Sequence, residues 1–208
     1  MKFISMRRHF LDELLKRDCP RFTGKILDLG GMKLNRRGSF QIPENLFADW
    51  VCLNSDPSTN PDIIAILPNI PLEDEMIDTV IMTEVIEYIH DSHKLMAEIH
   101  RVLKKDGKLF LSAPFLHPLH GDPESDYYRY TETFFKLLLQ EKFKIVAIER
   151  MGGVFAVIYD LIREFLSKTV LLAKIHRVMW KLWLLCDKCA NKNNRSIHTG
   201  FWLSLKKI

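Results

Sequence analysis

Two short stretches of the 208-residue chain carry residue types that do chemistry. The first is GKILDLGGMKLNRRG, residues 24 to 38, where Ile26 and Leu27 run into Asp28 and the adjacent Gly30 and Gly31. Glycines let a backbone bend and let a ligand approach with no Cβ in the way; a purely structural turn is the competing reading. Asp56 ends DWVCLNSD and is placed to accept hydrogen bonds from both hydroxyls of a ribose, because an ionised carboxylate offers several acceptor sites and no donor. Either feature alone is weak, but in chain order and on strand ends the two favour a ribose-containing ligand. The second stretch is FLHPLHGDPESDYYRYT, residues 115 to 131. His120 first, and His117 next, could take a proton from an acceptor, with Asp122 or Asp126 orienting an imidazole. His117, His120 and Asp122 also admit a metal-ligand reading, but nothing else supports it and no metal is expected.

These residues need a frame that gathers them. KILDL, DWVCLNSD, DIIAIL, IDTVIMTE, KLFLSAPF and KIVAIERM are six strand candidates. Their continuous apolar runs suit strands covered on both faces, as in a parallel sheet. SHKLMAEIHRVLKKDG is a predicted helix, with Ser92 as its cap and Gly107 as its stop, and TETFFKLLLQEKF is another. The alternation predicts an α/β, doubly wound sheet. Ligands of such sheets sit beyond the carboxyl ends of the strands. That gathers Asp28 to Gly31, Asp56, Thr83, Glu84 and the stretch from Pro114 onward at one edge.

One domain is expected over residues 1–208: an N-terminal amphipathic helix in 1–23, a core in 24–153, a helical insertion in 154–197 and a closing strand in 198–208. The insertion is rich in large apolar residues, and its charges are mainly basic. A helical cap on the core is its plainest use. Its apolar face could also complete an acceptor pocket or form a homodimer interface. Trp180, Trp183, Lys181 and Arg177 suggest a further use, peripheral contact with an anionic membrane surface.

Composition excludes some classes. With 47% hydrophobic and 27% charged residues the chain is an ordinary globular protein, and a net charge of +4 without a basic stripe gives no footprint for nucleic acid. The N-terminus is broken by charges and does not read as a signal peptide, so a cytoplasmic location with reduced thiols is expected. Cys186 and Cys189 form a C-x-x-C that lacks the partners of a zinc site and reads as two positions one helical turn apart. The loop after Gly30 lacks the G-x-G-x-x-G spacing of a dinucleotide site, which argues against an NAD-dependent oxidoreductase.

KILDLGG, IPLEDEMIDTVIMTEVIEYIHD, EIHRVLKKDGKLFLSAPF and HGDPESDYYRYT, in that order, resemble the class I S-adenosylmethionine-dependent methyltransferases, most closely the branch described as type 11 methyltransferase domains. The likeness covers about residues 24 to 153. It implies a seven-stranded Rossmann-like sheet with a late antiparallel strand, supplied by HTGFWLSLKK, and S-adenosylmethionine as cofactor. It also implies that Asp28 and the backbone around Gly30 and Gly31 hold the methionine end, that Asp56 holds the ribose, and that Thr83 and Glu84 lie beside the sulfonium. Two departures stand out. Met32 takes the place of a third small residue in the loop. Ile66 takes the place of an acidic residue that would meet the adenine amino group, leaving Asn69 or Asp62 as alternative acceptors.

The expected reaction is methyl transfer to a small-molecule or saccharide-type acceptor, with a hydroxyl preferred on the strength of the histidines. His120, His117 and Asp122 are the catalytic candidates; Tyr127, Tyr128 and Arg129 are the substrate-binding ones, although Arg129 could instead pin its loop by pairing with Asp126 or Glu84. A catalytically inactive methyltransferase-like scaffold is the alternative from another class.

Overall fold

The computed structural model describes residues 4–34, 38–121, 124–166, 178–190 and 196–208. The strands are β1 (Ile26–Leu29), β2 (Trp50–Asn54), β3 (Ile63–Ile64), β4 (Ile77–Thr83), β5 (Leu103–Pro114), β6 (Phe143–Met151) and β7 (Gly200–Lys207). They form a seven-stranded sheet in the order β3-β2-β1-β4-β5-β7-β6. The first five are parallel, and β7 runs antiparallel between β5 and β6. The expected doubly wound sheet with a late antiparallel strand is therefore present.

Residue alternation decides which face each strand presents. On β1, Leu27 and Leu29 join the larger core with Val80 and Met82, while Ile26 joins Trp50, Cys52, Ile81 and Phe110 on the opposite face. Both faces are dry, which is why these strands read as unbroken apolar runs. Helix α1 (Met6–Asp18) covers the second face through Leu11 and Leu15; α2 (Ser92–Val102) and α3 (Glu132–Leu139) cover the first through Leu95, Ile99, Phe135 and Leu139.

The start of α2 differs from expectation. Asp91, not Ser92, is its cap, and the carboxylate accepts the N–H of Lys94 at 2.9 Å. The helix also ends at Val102, ahead of Gly107. Leu103 is fully buried and pairs with Ile77 of β4, so the sheet ladder claims this residue from the helix.

The insertion supplies α4 (Val154–Leu166) and α5 (Trp180–Ala190). Two buried aspartates lock these helices to α1. Asp187 of α5 accepts the N–H of Gly153 and Ala156 at the start of α4, both at 2.9 Å. Asp160 of α4 accepts the N–H of Met6 at 2.7 Å at the start of α1. Each carboxylate meets the orphan donors and the positive end of a helix. Trp180 and Trp183 are half-buried and pack against Met6, Ala156 and Tyr159. The outer side carries Leu161, Phe165, Leu182 and Leu185. Among the described residues no helix is long and apolar enough to cross a membrane. Arg177 lies outside the described residues.

Candidate active site

The sheet reverses its strand order between β1 and β4, and the loops beyond their carboxyl ends open a crevice there. Gly30 turns the chain at φ +72° with its N–H on Leu53 O at 2.8 Å. Gly31 follows, and a Cβ on it would fall 2.1 Å from Asp28 Cγ. Asp28 is fully buried, and Trp50 Nε1 donates to its carboxylate at 3.0 Å. The Asp28 carboxylate, expected at the ligand, lies against Gly31 and so shapes the loop. The glycines thus meet demands of the protein itself and leave bare main chain facing the crevice.

Three adjoining cavities meet at Glu84. The central one, about 320 Å³, is bordered by Gly30, Gly31, Asp56, Thr83, Glu84 and His120. A second, about 450 Å³, runs along Gly30 and Asn54 to Ile66, Leu67 and Tyr88. A third, about 420 Å³, lies under α1 and is bordered by Arg7, Arg8, Glu84, His117, His120 and Arg163. The sequence-predicted Gly30, Gly31, Asp56, Thr83, Glu84, His117 and His120 are therefore brought together.

Asp56 is exposed and caps the short turn Pro57–Thr59 through Ser58, whose N–H donates to it at 2.9 Å. Hydrogen bonding by Ser58 holds its carboxyl below the usual carboxylate range. Its remaining acceptor capacity faces the central cavity, as a vicinal diol requires. Ile66 is 75% exposed on the wall of the second cavity, where it offers a flat ring an apolar surface. Asp62 and Asn69 do not border that cavity: Asp62 is bonded to Lys33 Nζ and to the N–H of Cys52, and Asn69 donates its N–H to Ile66 O. An acceptor at Asp56, bare main chain at Gly30 and Gly31 and an apolar wall at Ile66 are surfaces that an adenosine-type sulfonium fits.

Glu84 sits at φ +58°, an uncommon backbone state for a non-glycine residue. Its N–H donates to Ser112 O at 3.1 Å, and its Oε1 accepts from Ser112 Oγ at 2.7 Å, so β5 fixes the carboxylate at the strand end. Its Oε2 meets the guanidinium of Arg7. Burial pushes Arg7 down to about 10, against the pull of Glu87 and Asp160.

His120 faces the same point. Its Nε2 is 3.1 Å from Glu87 Oε1 and 3.9 Å from Glu84 Oε2, and its Nδ1 is 3.5 Å from Asp126 Oδ2. Asp126 also accepts the His120 N–H at 3.2 Å, and Tyr88 Oη donates to His120 O at 2.8 Å. Asp126 is thus the carboxylate nearest Nδ1 of the imidazole; Asp122 lies outside the described residues. The His117 side chain is buried, with Nδ1 2.9 Å from Pro118 O and Nε2 3.7 Å from Asp160. Burial, aided by Arg7, pushes its imidazole down to about 3, so it is neutral at pH 7.

Tyr127, Tyr128 and Arg129 border none of these three cavities. Arg129 grips Asp126 through both guanidinium nitrogens and donates to Pro118 O at 3.3 Å. Tyr128 Oη lies 3.2 Å from His90 Nδ1, and Tyr127 donates its N–H to Glu87 O at 3.0 Å. They hold the loop that presents His120. The residues that sequence reasoning missed are Arg7, Arg8, Glu87 and Tyr88. Arg7 and Arg8 read as the polar side of a covering helix. Glu87 carried a signal, since it stands in the apolar run VIEYI three residues after Glu84.

Comparison with known proteins agrees with this fold. The methyltransferase domain family matches residues 57–111, which takes in Thr83, Glu84 and Glu87. No curated protein matches the chain. Among solved structures, phosphoethanolamine N-methyltransferase 2 of Haemonchus contortus, complexed with S-adenosyl-L-methionine, is 19% identical over 96% of this chain and 52% of its own, with a TM-score of 0.56. The geranyl diphosphate C-methyltransferase of Streptomyces coelicolor, complexed with S-adenosyl-L-homocysteine, Mg2+ and geranyl-S-thiolodiphosphate, is 11% identical over 96% of this chain and 76% of its own, with a TM-score of 0.59. An S-adenosylmethionine dependent methyltransferase of Mesorhizobium loti is 14% identical over 93% and 96%, with a TM-score of 0.56. The chain therefore has the Rossmann-like fold of the class I S-adenosylmethionine-dependent methyltransferases and carries the signature of a methyltransferase domain within it.

Proposed function

We propose that the chain transfers a methyl group from S-adenosylmethionine to a hydroxyl of a small-molecule or saccharide-type acceptor. The observation that carries this reading is the convergence of three cavities on Glu84, with Asp56 in the central one and His120 shared between the central one and the cavity under α1.

The bound sulfonium supplies an activated methyl group. The chain's own residues do the rest. Gly30, Gly31 and Asp56 hold the two ends of the ribosyl-methionine part, and Ile66 and Leu67 flank the base. An acceptor entering beneath α1 meets Arg7, Arg8 and His117, and its oxygen reaches the methyl beside His120. Asp126 and Tyr88 fix the main chain of His120, whose ring can then accept the hydroxyl proton. Positioning of this kind is worth several kcal/mol, with effective molarities of about 10⁵ to 10⁸ M in well-aligned cases.

Titration calorimetry with S-adenosylmethionine and S-adenosylhomocysteine tests the cofactor half, on the native chain and on Asp56→Ala. Micromolar binding that weakens at least tenfold in the variant supports it. A folded protein that binds neither ligand overturns it and leaves the catalytically inactive scaffold. A screen of hydroxylated acceptors with labelled methyl groups then tests the acceptor class.

A further inference from the structure

Glu84, Glu87 and His120 each offer one possible ligand atom, and these atoms lie within 4.8 Å of one another. Neighbouring ligands around a cation at about 2.1 Å stand about 3 Å apart. The His120 Nε2 to Glu87 Oε1 separation of 3.1 Å already has that spacing, and the 3.9 Å to Glu84 Oε2 is close to it. Glu87 adds an independent observation. Its side chain is fully buried, and neither of its oxygens accepts a hydrogen bond. Buried carboxylates are ordinarily satisfied by donors or by a cation. The His120 ring can face one oxygen only, and it lacks a hydrogen bond of its own at both nitrogens.

We propose that Glu84, Glu87 and His120 bind a first-row divalent cation at the junction of the central cavity and the cavity under α1. Two carboxylates and an imidazole suit Mn2+, Fe2+ or Zn2+ better than they suit Ca2+. Three protein ligands leave open positions for an acceptor's oxygens, and a metal so placed lowers the pKa of the oxygen it holds. The inference rests on the function proposed above and names its acceptor class, an oxygen nucleophile bound through the cation. With His120 holding the cation, the hydroxyl loses its proton to water in place of the imidazole; the new O–C bond forms as the S–C bond breaks, and the bond's electron pair stays on sulfur, which leaves as a thioether.

Arg7 stands against Glu84 Oε2 and competes for the same carboxylate. A cation site therefore predicts an unusual sign: removing this positive side chain improves cation binding, where a residue serving only to hold Glu84 in place would not.

The test is titration of the full chain with Mn2+, followed by electron paramagnetic resonance, on the native protein, Glu87→Gln, His120→Ala and Arg7→Met. Thermal melts show that each variant is folded, and calorimetry with S-adenosylhomocysteine is run on the same samples. One Mn2+ per chain, weakened at least tenfold by Glu87→Gln and His120→Ala and tightened by Arg7→Met, supports the site. Absence of Mn2+ binding, or binding unaffected by Glu87→Gln and His120→Ala, overturns it. S-adenosylhomocysteine binding without Mn2+ binding sinks the cation site and leaves the methyltransferase reading intact. Mn2+ binding without S-adenosylhomocysteine binding sinks that reading and, with it, the acceptor assigned here.

Discussion

Asp160 accepts the main-chain N–H of Arg7 at 3.1 Å across 153 residues of sequence. One helix of the insertion thereby sets the position of the guanidinium that meets Glu84. The insertion is a covering element that also ties the start of α1 to the crevice. Asp160→Ala leaves the N–H groups of Met6 and Arg7 buried without partners and removes a cap. It should cost about 2 kcal/mol of stability. Urea unfolding measures that loss. Affinity for S-adenosylhomocysteine should change less than threefold, because Asp160 borders neither the central cavity nor the one along Ile66. A cofactor affinity that falls in step with stability would place Arg7 in the cofactor site and not on the acceptor side.

His117 makes stability depend on pH. Burial depresses its folded-state pKa from 6.5 to about 3. Above pH 6.5 the ring is neutral in both states. Between about 6.5 and 3 the unfolded chain binds a proton that the folded chain refuses, so stability falls as pH falls through that window. The contribution is on the order of a few kcal/mol, since each unit is worth about 1.4 kcal/mol. Denaturation midpoints at pH 7 and pH 5, compared with those of His117→Gln, isolate it. The variant should lose less stability on acidification than the native chain, and equal losses would contradict the buried neutral ring.

Gly31 and Asp28 make a packing prediction. A Cβ at Gly31 meets the carboxylate that Trp50 holds in place, and that carboxylate cannot swing away without giving up the bond. Gly31→Ala should cost about 1–3 kcal/mol, the range for overpacking a filled site. The double variant Gly31→Ala with Asp28→Ala should recover part of that loss. Thermal melts of the two variants and of Asp28→Ala alone close the cycle, and additive losses would mean that the clash is not the cause.

The sheet and the edge that carries the crevice were legible because burial on both faces writes itself as apolar runs, and strand ends are where those runs stop. Gly30, Asp56, Thr83, Glu84 and His120 all follow from that rule. The role of Arg129 was not legible, since an arginine three residues from Asp126 reads equally as a substrate clamp or as a loop pin, and only the two-pronged contact decides. Arg7 was hidden for a different reason. Its job depends on Asp160, and the two meet only because α4 returns to the start of α1. Asp160 itself was visible as a lone acid in VFAVIYDLI, yet no local pattern reveals which helix end such an acid caps. Ser92 lost the capping role to its neighbour Asp91 because two adjacent residue types compete for one cap, and sequence does not rank them.

Ile66 supplies the last prediction. It stands 75% exposed on the cavity wall that continues from Gly30 and Asn54, where an adenine ring would lie. An isoleucine there packs against the ring face and leaves the exocyclic amino group to water. Ile66→Asp places an ionised acceptor at that position, and a hydrogen bond from a neutral donor to a charged group is worth about 1.5–3 kcal/mol. The side chain must be ordered to make it, which offsets part of the gain. The net expectation is roughly tenfold tighter binding of S-adenosylhomocysteine, read by calorimetry, with little change in melting temperature because the position is exposed. Inosyl-homocysteine, which carries a carbonyl in place of the amino group, should gain nothing from the same substitution. Equal gains for both ligands would trace the effect to general electrostatics, and a loss for both would move the base away from Ile66.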